Sequence, residues 1–140
     1  MDNNIYNTKR KIIYARVSYV GQINDLERQI KLLKEKYPKH ELIKDVGSGL
    51  NMNRKGLRKI IDYAITGDIE EVVVVYKDRL TRYGYELIED LIKKYSNGRI
   101  ILLDDKKKEA KEELVEDVLQ IMNIFVAKIN GMRKYKKISV

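Results

Sequence analysis

The sequence predicts an open, mostly parallel α/β sheet of four strands, five at the most, with flanking helices and a long helix toward its C-terminal end. Three observations lead there. Short apolar runs alternate with stretches of helical periodicity over the first hundred residues. One run, "EVVVVY" at Glu71–Tyr76, is β-branched without polar alternation, the pattern of a strand buried on both faces. The chain has 140 residues, 44% hydrophobic and 36% charged, which fits one globular domain with a heavily charged surface.

Each element has its own signal. Lys11–Arg16 is a short apolar strand. Ile23–Tyr37 carries Leu26, Ile30, Leu33 and Tyr37 at helical spacing, with Asn24 or Asp25 as its cap and Pro38 as its break. Glu41–Val46 is a second strand, and Gly47–Asn53, "GSGLNMN", is a loop of turn residues. Leu57, Ile60, Ile61 and Ala64 make Arg54–Thr66 an amphipathic helix. After the Glu71–Tyr76 strand, a helix is expected over Thr81–Ser96, capped by Thr81 and stopped at Asn97-Gly98. Arg99–Leu103 is the fourth strand, and Asp104–Lys111 a connector. Glu109–Met132 closes the list as a long helix whose broad apolar face, Leu114 to Ile129, suits pairing with another subunit better than closing an already covered sheet. The domain reading is a polar leader at 1–10, an α/β catalytic domain at 11–105, and a long amphipathic helix with a basic tail at 106–140.

Composition narrows the function. The net charge of +8 and a pI near 9.5 favour a polyanionic partner. Cysteine is absent, which removes disulfides and thiolate metal sites. No apolar run approaches the roughly 20 residues that span a bilayer, and the N-terminus lacks a signal segment, so a cytoplasmic protein without a membrane partner is expected.

In open parallel sheets, ligands bind outside the carboxyl ends of the strands. Here those ends carry Arg16 and Ser18, then Asp45 and Ser48, then Lys77, Asp78, Arg79 and Arg82, then Asp104 and Asp105. Arginine forks suit phosphate oxygens, and several of them around one hydroxyl point to phosphoryl chemistry without a metal. Each residue alone has a plainer reading. A serine after a strand is ordinarily a turn or cap residue, Ser48 between two glycines is turn chemistry, and Asp78–Arg79 is a local ion pair. Arg54 is a first-turn residue and Gln22 a loop residue on the same terms. The coincidence of all of them at one sheet edge favours a site. His40 precedes the second strand and so falls at the opposite edge, a surface loop residue badly placed for a serine–histidine hydrolase. Tyr14, Tyr76, Tyr83 and Tyr85 are possible nucleophiles in type, but at this spacing tyrosines ordinarily pack.

Three segments together resemble the catalytic domain of the serine recombinases, the resolvase/invertase family, and most of all its IS607-type transposase branch. They are "YARVS" at Tyr14–Ser18 followed by Gln22 and "DLERQ"; "DVGSGLNMNRKGL" at Asp45–Leu57; and "YKDRLTRYG" at Tyr76–Gly84. The resemblance implies Ser18 as a nucleophile toward a DNA phosphodiester, giving a 5′-phosphoserine link and a free 3′-hydroxyl, with neither metal nor ATP. It implies Arg16, Asp78, Arg79 and Arg82 around the scissile phosphate. Tyr14, Gln22, Asp45, Ser48 and Arg54 would support the site or contact phosphate. The branch commonly carries an arginine on the long helix near Lys128; lysine stands there in this chain, with Arg133 further on. DNA, and a homodimer or homotetramer formed through the C-terminal helix, are the implied partners. No DNA-reading helix-turn-helix segment is visible, although in this branch such a domain precedes the catalytic one. Two readings compete: a metal-dependent nuclease using Asp45, Asp78, Asp104 and Asp105, and an inactive DNA-binding or dimerisation module.

Overall fold

A computed structural model describes residues 8–104, 118–119 and 121–131. The chain divides into two compact units, Met1–Lys108 and Glu109–Val140. The first holds four strands, β1 (Arg10–Val17), β2 (Glu41–Val46), β3 (Ile69–Val74) and β4 (Arg99–Leu102), all parallel, in the order β2-β1-β3-β4. Four helices join them: α1 (Ile23–Lys36), entered through a 3₁₀ turn at Val20–Gln22, α2 (Lys55–Ile65), a single turn α3 (Lys77–Leu80), and α4 (Tyr85–Ser96).

The apolar residues of β1 divide between the two faces because successive side chains of a strand point opposite ways. Ile12 and Tyr14 join Val72, Val74, Leu57, Ile60, Ile88 and Ile92 beneath α2 and α4. Ile13, Ala15 and Val17 join Val73, Leu26 and Leu33 beneath α1. Every residue from Ile12 to Val17 is therefore buried, as the strand-burial reading of the apolar runs requires.

The strand order reverses after β2: the chain crosses from one side of β1 to the other to lay down β3. That switch opens a crevice outside the carboxyl ends of β1 and β3. Pairing of β1 with β3 ends at Ile13, whereas pairing with β2 continues to Val17. Beyond Ile13 the β3-facing edge of β1 must find other partners, and that edge leads to Ser18.

Three expectations are corrected. β3 runs from Ile69 to Val74, so Val75 and Tyr76 have already left the sheet. Thr81 does not cap a helix. It is extended, its hydroxyl donates to the carbonyls of Tyr83 and Gly49, and α4 begins four residues later behind Gly84 in the left-handed region at φ 74°. The "DRL" residues form α3 instead. His40 lies at the amino end of β2 as expected, but it is not a free surface residue. Its Nε2 sits 2.5 Å from Oε2 of buried Glu71, whose other oxygen accepts from Arg99 at 2.9 Å. Burial pushes the Glu71 carboxyl up, and the hydrogen bonds from His40 and Arg99 outweigh that and hold it below its ordinary value.

The second unit is helical at 121–131. Its described residues expose Ile121, Met122, Ile124, Phe125 and Val126, each at least half accessible.

Candidate active site

Arg16 is the largest fully buried side chain of the domain. A guanidinium tolerates burial only when its N–H groups are hydrogen-bonded. Here Nε donates to the Arg79 carbonyl at 3.2 Å, Nη2 to the Asp78 carbonyl at 2.6 Å, and Nη1 to the Gly47 carbonyl at 3.0 Å. Nη1 also donates to Oγ of Ser18 at 3.2 Å. The end of β1, the loop after β2 and the turn after β3 are thus tied to one cation, which touches the serine hydroxyl. Arg16 and Ser18 share a strand face, two residues apart. Gly49 allows the approach: a Cβ there would stand 3.0 Å from Arg16 Nη2 and 3.1 Å from the Arg82 backbone nitrogen.

Ser18 is half-exposed, and its backbone N–H donates to Oε1 of Gln22 at 2.9 Å, which holds the turn into α1. Arg79 is buried and donates from Nη2 to Oδ2 of Asp25 at 3.2 Å, with its guanidinium 4.9 Å from the Tyr76 ring centre. Arg82 donates to Asp78 Oδ2 at 2.8 Å, and its backbone N–H donates to the Gly49 carbonyl. Arg16, Ser18, Asp78, Arg79 and Arg82 therefore gather around the crevice mouth.

Tyr14, Asp45 and Arg54 form a second, interior network. The Tyr14 hydroxyl donates to Asp45 Oδ2 at 2.6 Å and accepts from Arg54 Nη1 at 2.8 Å. The Asp45 carboxylate also accepts the Gly56 and Leu57 amides that open α2, at 2.8 and 2.9 Å. Arg54 reaches the Asn51 and Leu80 carbonyls at 2.7 and 2.8 Å. Burial pushes the Tyr14 phenol far above its ordinary value, with Asp45 adding to the shift, so it stays protonated. A buried, proton-donating phenol is a packing and bracing group, and Arg54, 4% exposed, braces loops. Ser48 is buried too. Its Oγ accepts the Leu50 N–H at 3.0 Å, which shapes the loop that delivers Gly49.

Two residues of the site escaped the sequence reading. Gln29 takes up both backbone groups of Arg16 at the unpaired edge of β1, accepting from its N–H at 3.2 Å and donating to its carbonyl at 2.9 Å. The same amide nitrogen donates to Asp25 Oδ2 at 3.1 Å. Asp25 and Gln29 are four apart on one face of α1 and begin and end the "DLERQ" stretch of the family resemblance, the two signals the sequence carries for them. Lys128 is an exposed residue of the 121–131 helix. Arg133 and Asp105 lie outside the described residues. Among the described residues, no group of three or more His, Asp or Glu side chains is arranged to hold a metal ion. Asp45 is engaged by backbone amides and Asp78 by Arg82. Nor is any helix there long and apolar enough to cross a membrane.

A half-exposed hydroxyl polarised by a buried guanidinium, with further arginines at hand, defines a site suited to nucleophilic attack on an anionic centre. The family model for the resolvase N-terminal domain matches residues 11–139, and the chain belongs to that family, the serine recombinases. It is 58% identical over 128 residues to "Putative resolvase R771" of Acanthamoeba polyphaga mimivirus, covering 91% of this chain and 67% of that protein. It superposes with a TM-score of 0.76 on a serine recombinase from Sulfolobus solfataricus, at 41% identity over 90% of this chain and 89% of that one. The catalytic domain of ISC1926 TnpA, an IS607-like serine recombinase, gives 0.73 at 42% identity, over 86% and 85% of the two chains.

Proposed function

We propose that the chain catalyses DNA strand exchange as an IS607-like site-specific recombinase, through a phosphoserine intermediate at Ser18. Oγ of Ser18 attacks a DNA phosphorus, the P–O3′ bond breaks, and the proton lost by Oγ is made up at the departing 3′ oxygen. Attack by a 3′-hydroxyl on the phosphoserine reverses the step. Phosphate ester bonds are conserved throughout, so no ATP is called upon, and in this reading arginines do at the phosphate what a metal would do. The observation that carries this reading is the 3.2 Å contact between Arg16 Nη1 and Ser18 Oγ. A cation already aimed at the hydroxyl lowers the cost of charge developing there.

Arg79 and Arg82 face the phosphate in this reading, with Asp78 and Asp25 orienting them. Gln22, Tyr14, Asp45, Ser48 and Arg54 hold the loops, and Lys128 and Arg133 offer further cations to DNA. A second copy covers the apolar surface of the 121–131 helix, in a dimer or a tetramer, because Ile121, Met122, Phe125 and Val126 stand exposed together.

The test is a nicked suicide duplex carrying the recombination site, incubated with EDTA. A covalent protein–DNA adduct, mapped by mass spectrometry to the peptide of Ser18 and lost in Ser18→Ala, is expected. Cleavage that survives Ser18→Ala and disappears on chelation would replace this reading with a carboxylate-metal nuclease.

A further inference from the structure

Beside the Ser18 crevice lies a cavity of about 370 Å³ that none of the chemistry above uses. It opens at the carboxyl ends of β3 and β4, and Asp78 and Arg82 form the wall it shares with the crevice. Its size falls in the range of small-ligand sites. We propose that it receives a single unstacked nucleobase of the DNA strand whose phosphate meets Arg82. This rests on the DNA strand-exchange reading.

Three features point to that ligand class. The first is aromatic density, since Tyr76, Tyr83 and Tyr85 all line the space. Tyr83 is 55% exposed although it is a large ring, and its hydroxyl reaches the Leu50 carbonyl at 3.5 Å, so its ring is open to stacking. Aromatic faces at a polar margin are stacking platforms for bases and accept any of the four.

The second is charge. Lys77 pairs with Glu86 at 3.1 Å and Arg82 with Asp78 at 2.8 Å, while Asp104 adds a carboxylate. A lining of three carboxylates and two cations does not attract a phosphate into the cavity. It suits a neutral ring with polar edges, whose own phosphate remains outside by the arginines. Lys77 Nζ lies over the ring of buried Tyr85 at 4.6 Å and Arg79 over that of Tyr76 at 4.9 Å, so the ring left open for stacking is Tyr83.

The third is backbone. Thr81 is extended and Gly84 is left-handed, and the non-helical stretch between α3 and α4 lines the cavity together with Leu102 of β4. A Cβ placed on Gly84 would meet nothing within 4 Å. The route to the cavity is open on that side.

The experiment uses the full chain carrying Ser18→Ala, so that covalent chemistry plays no part. Tetranucleotides with one 2-aminopurine are titrated against it, alongside the same tetranucleotides with an abasic position. Fluorescence quenching and preference for the base-bearing probe are expected. Tyr83→Ala should weaken that binding about 5- to 150-fold, the loss a removed stacking platform produces, and Tyr83→Phe should restore it. Equal binding of the abasic probe, absence of binding, or indifference to Tyr83→Ala overturns the proposal. So does a Tyr83→Ala change in oligomeric mass by light scattering with quenching unaltered, which would make the cavity a protein contact. Failure here leaves the Ser18 adduct on duplex DNA standing, and loss of that adduct is a separate result.

Discussion

Replacing Arg16 by lysine keeps the charge and removes the fork, and the structure sets the size of the effect. The guanidinium spans carbonyls of Gly47, Asp78 and Arg79 as well as Ser18 Oγ. A lysine has methylene where Nε stood, so the Arg79 carbonyl loses its donor outright. One ammonium cannot fan to the remaining partners in their present positions, and at least one more contact fails. Hydrogen bonds involving a charged group contribute about 1.5–3 kcal/mol each. Two lost bonds, partly replaced by water, correspond to about 3 kcal/mol of unfolding free energy. For a domain of roughly 100 residues that lowers Tm by about 10–25 °C. Urea titration measures the loss, and single-turnover adduct formation on a suicide duplex, run well below the lowered Tm, measures the chemistry. Adduct formation should fall by about 100-fold or more, the scale at which a lost preorganised donor acts. A variant within about 0.5 kcal/mol of the parent would show that the three carbonyl contacts do not hold the site. A stable variant with full adduct yield would also remove Arg16 from the activation of Ser18.

Other expectations follow from the same contacts. Tyr14→Phe strands Asp45 and Arg54 without their shared hydroxyl; urea titration should show a loss of about 1–3 kcal/mol, while the adduct still maps to Ser18, an outcome that a tyrosine nucleophile at this position could not give. Asp25→Asn removes the charged anchor of Arg79. Because Asp25 is partly exposed, stability should change by under about 1 kcal/mol, with the adduct rate down roughly tenfold; an unchanged rate would dismiss Asp25 as a positioning residue. Glu71→Gln tests the far edge of the sheet. The folded carboxyl is held below its ordinary value, so its contribution is present above the unfolded pKa of about 4.3 and is lost as pH falls through the lower folded value. The parent should therefore exceed Glu71→Gln by about 1–2 kcal/mol at pH 7 in denaturant titrations, and the gap should narrow steadily below about pH 4.

The sheet was legible because its signals are local. β-branched runs without polar alternation mark parallel strands, and the strand-end rule gathered Arg16, Ser18, Asp78, Arg79 and Arg82 at one edge without any knowledge of contacts. What could not be read is which way each side chain is spent. Ser48, Asp45 and Arg54 fall at the same sheet edge as Ser18, Asp78 and Arg16 and are the same residue types, yet they are buried and brace loops. Thr81 is the converse case. A threonine before an apolar helical stretch has the composition of a cap, but the carbonyls of Gly49 and Tyr83 compete for its hydroxyl and win. Asp25 and Gln29 look like an ordinary solvated helix face until β1 outruns its pairing with β3 and leaves Arg16 backbone groups to satisfy.

The two layers of arginine have different physical duties, and burial separates them. Arg16 is fully enclosed and tied to three backbone carbonyls, so its position does not depend on what enters the crevice. Its contact with Ser18 exists before any DNA arrives, which is the condition for stabilising charge without reorganisation at the moment of reaction. Arg79 and Arg82 are instead held by carboxylates, Asp25 and Asp78. Those pairs keep two guanidinium groups of a basic protein in place when no phosphate is there to hold them. They also make an anion entering the crevice compete with, or share, the carboxylates' hold. An anchor of backbone carbonyls, such as those around Arg16, would favour the strongest static binding of a polyanion. Carboxylate anchors at the outer arginines offset part of that attraction, and what they supply instead is position. On the proposed strand-exchange reading, carbonyls around the inner arginine leave its charge to Ser18, and carboxylates around the outer ones keep two guanidinium groups in place for a phosphate.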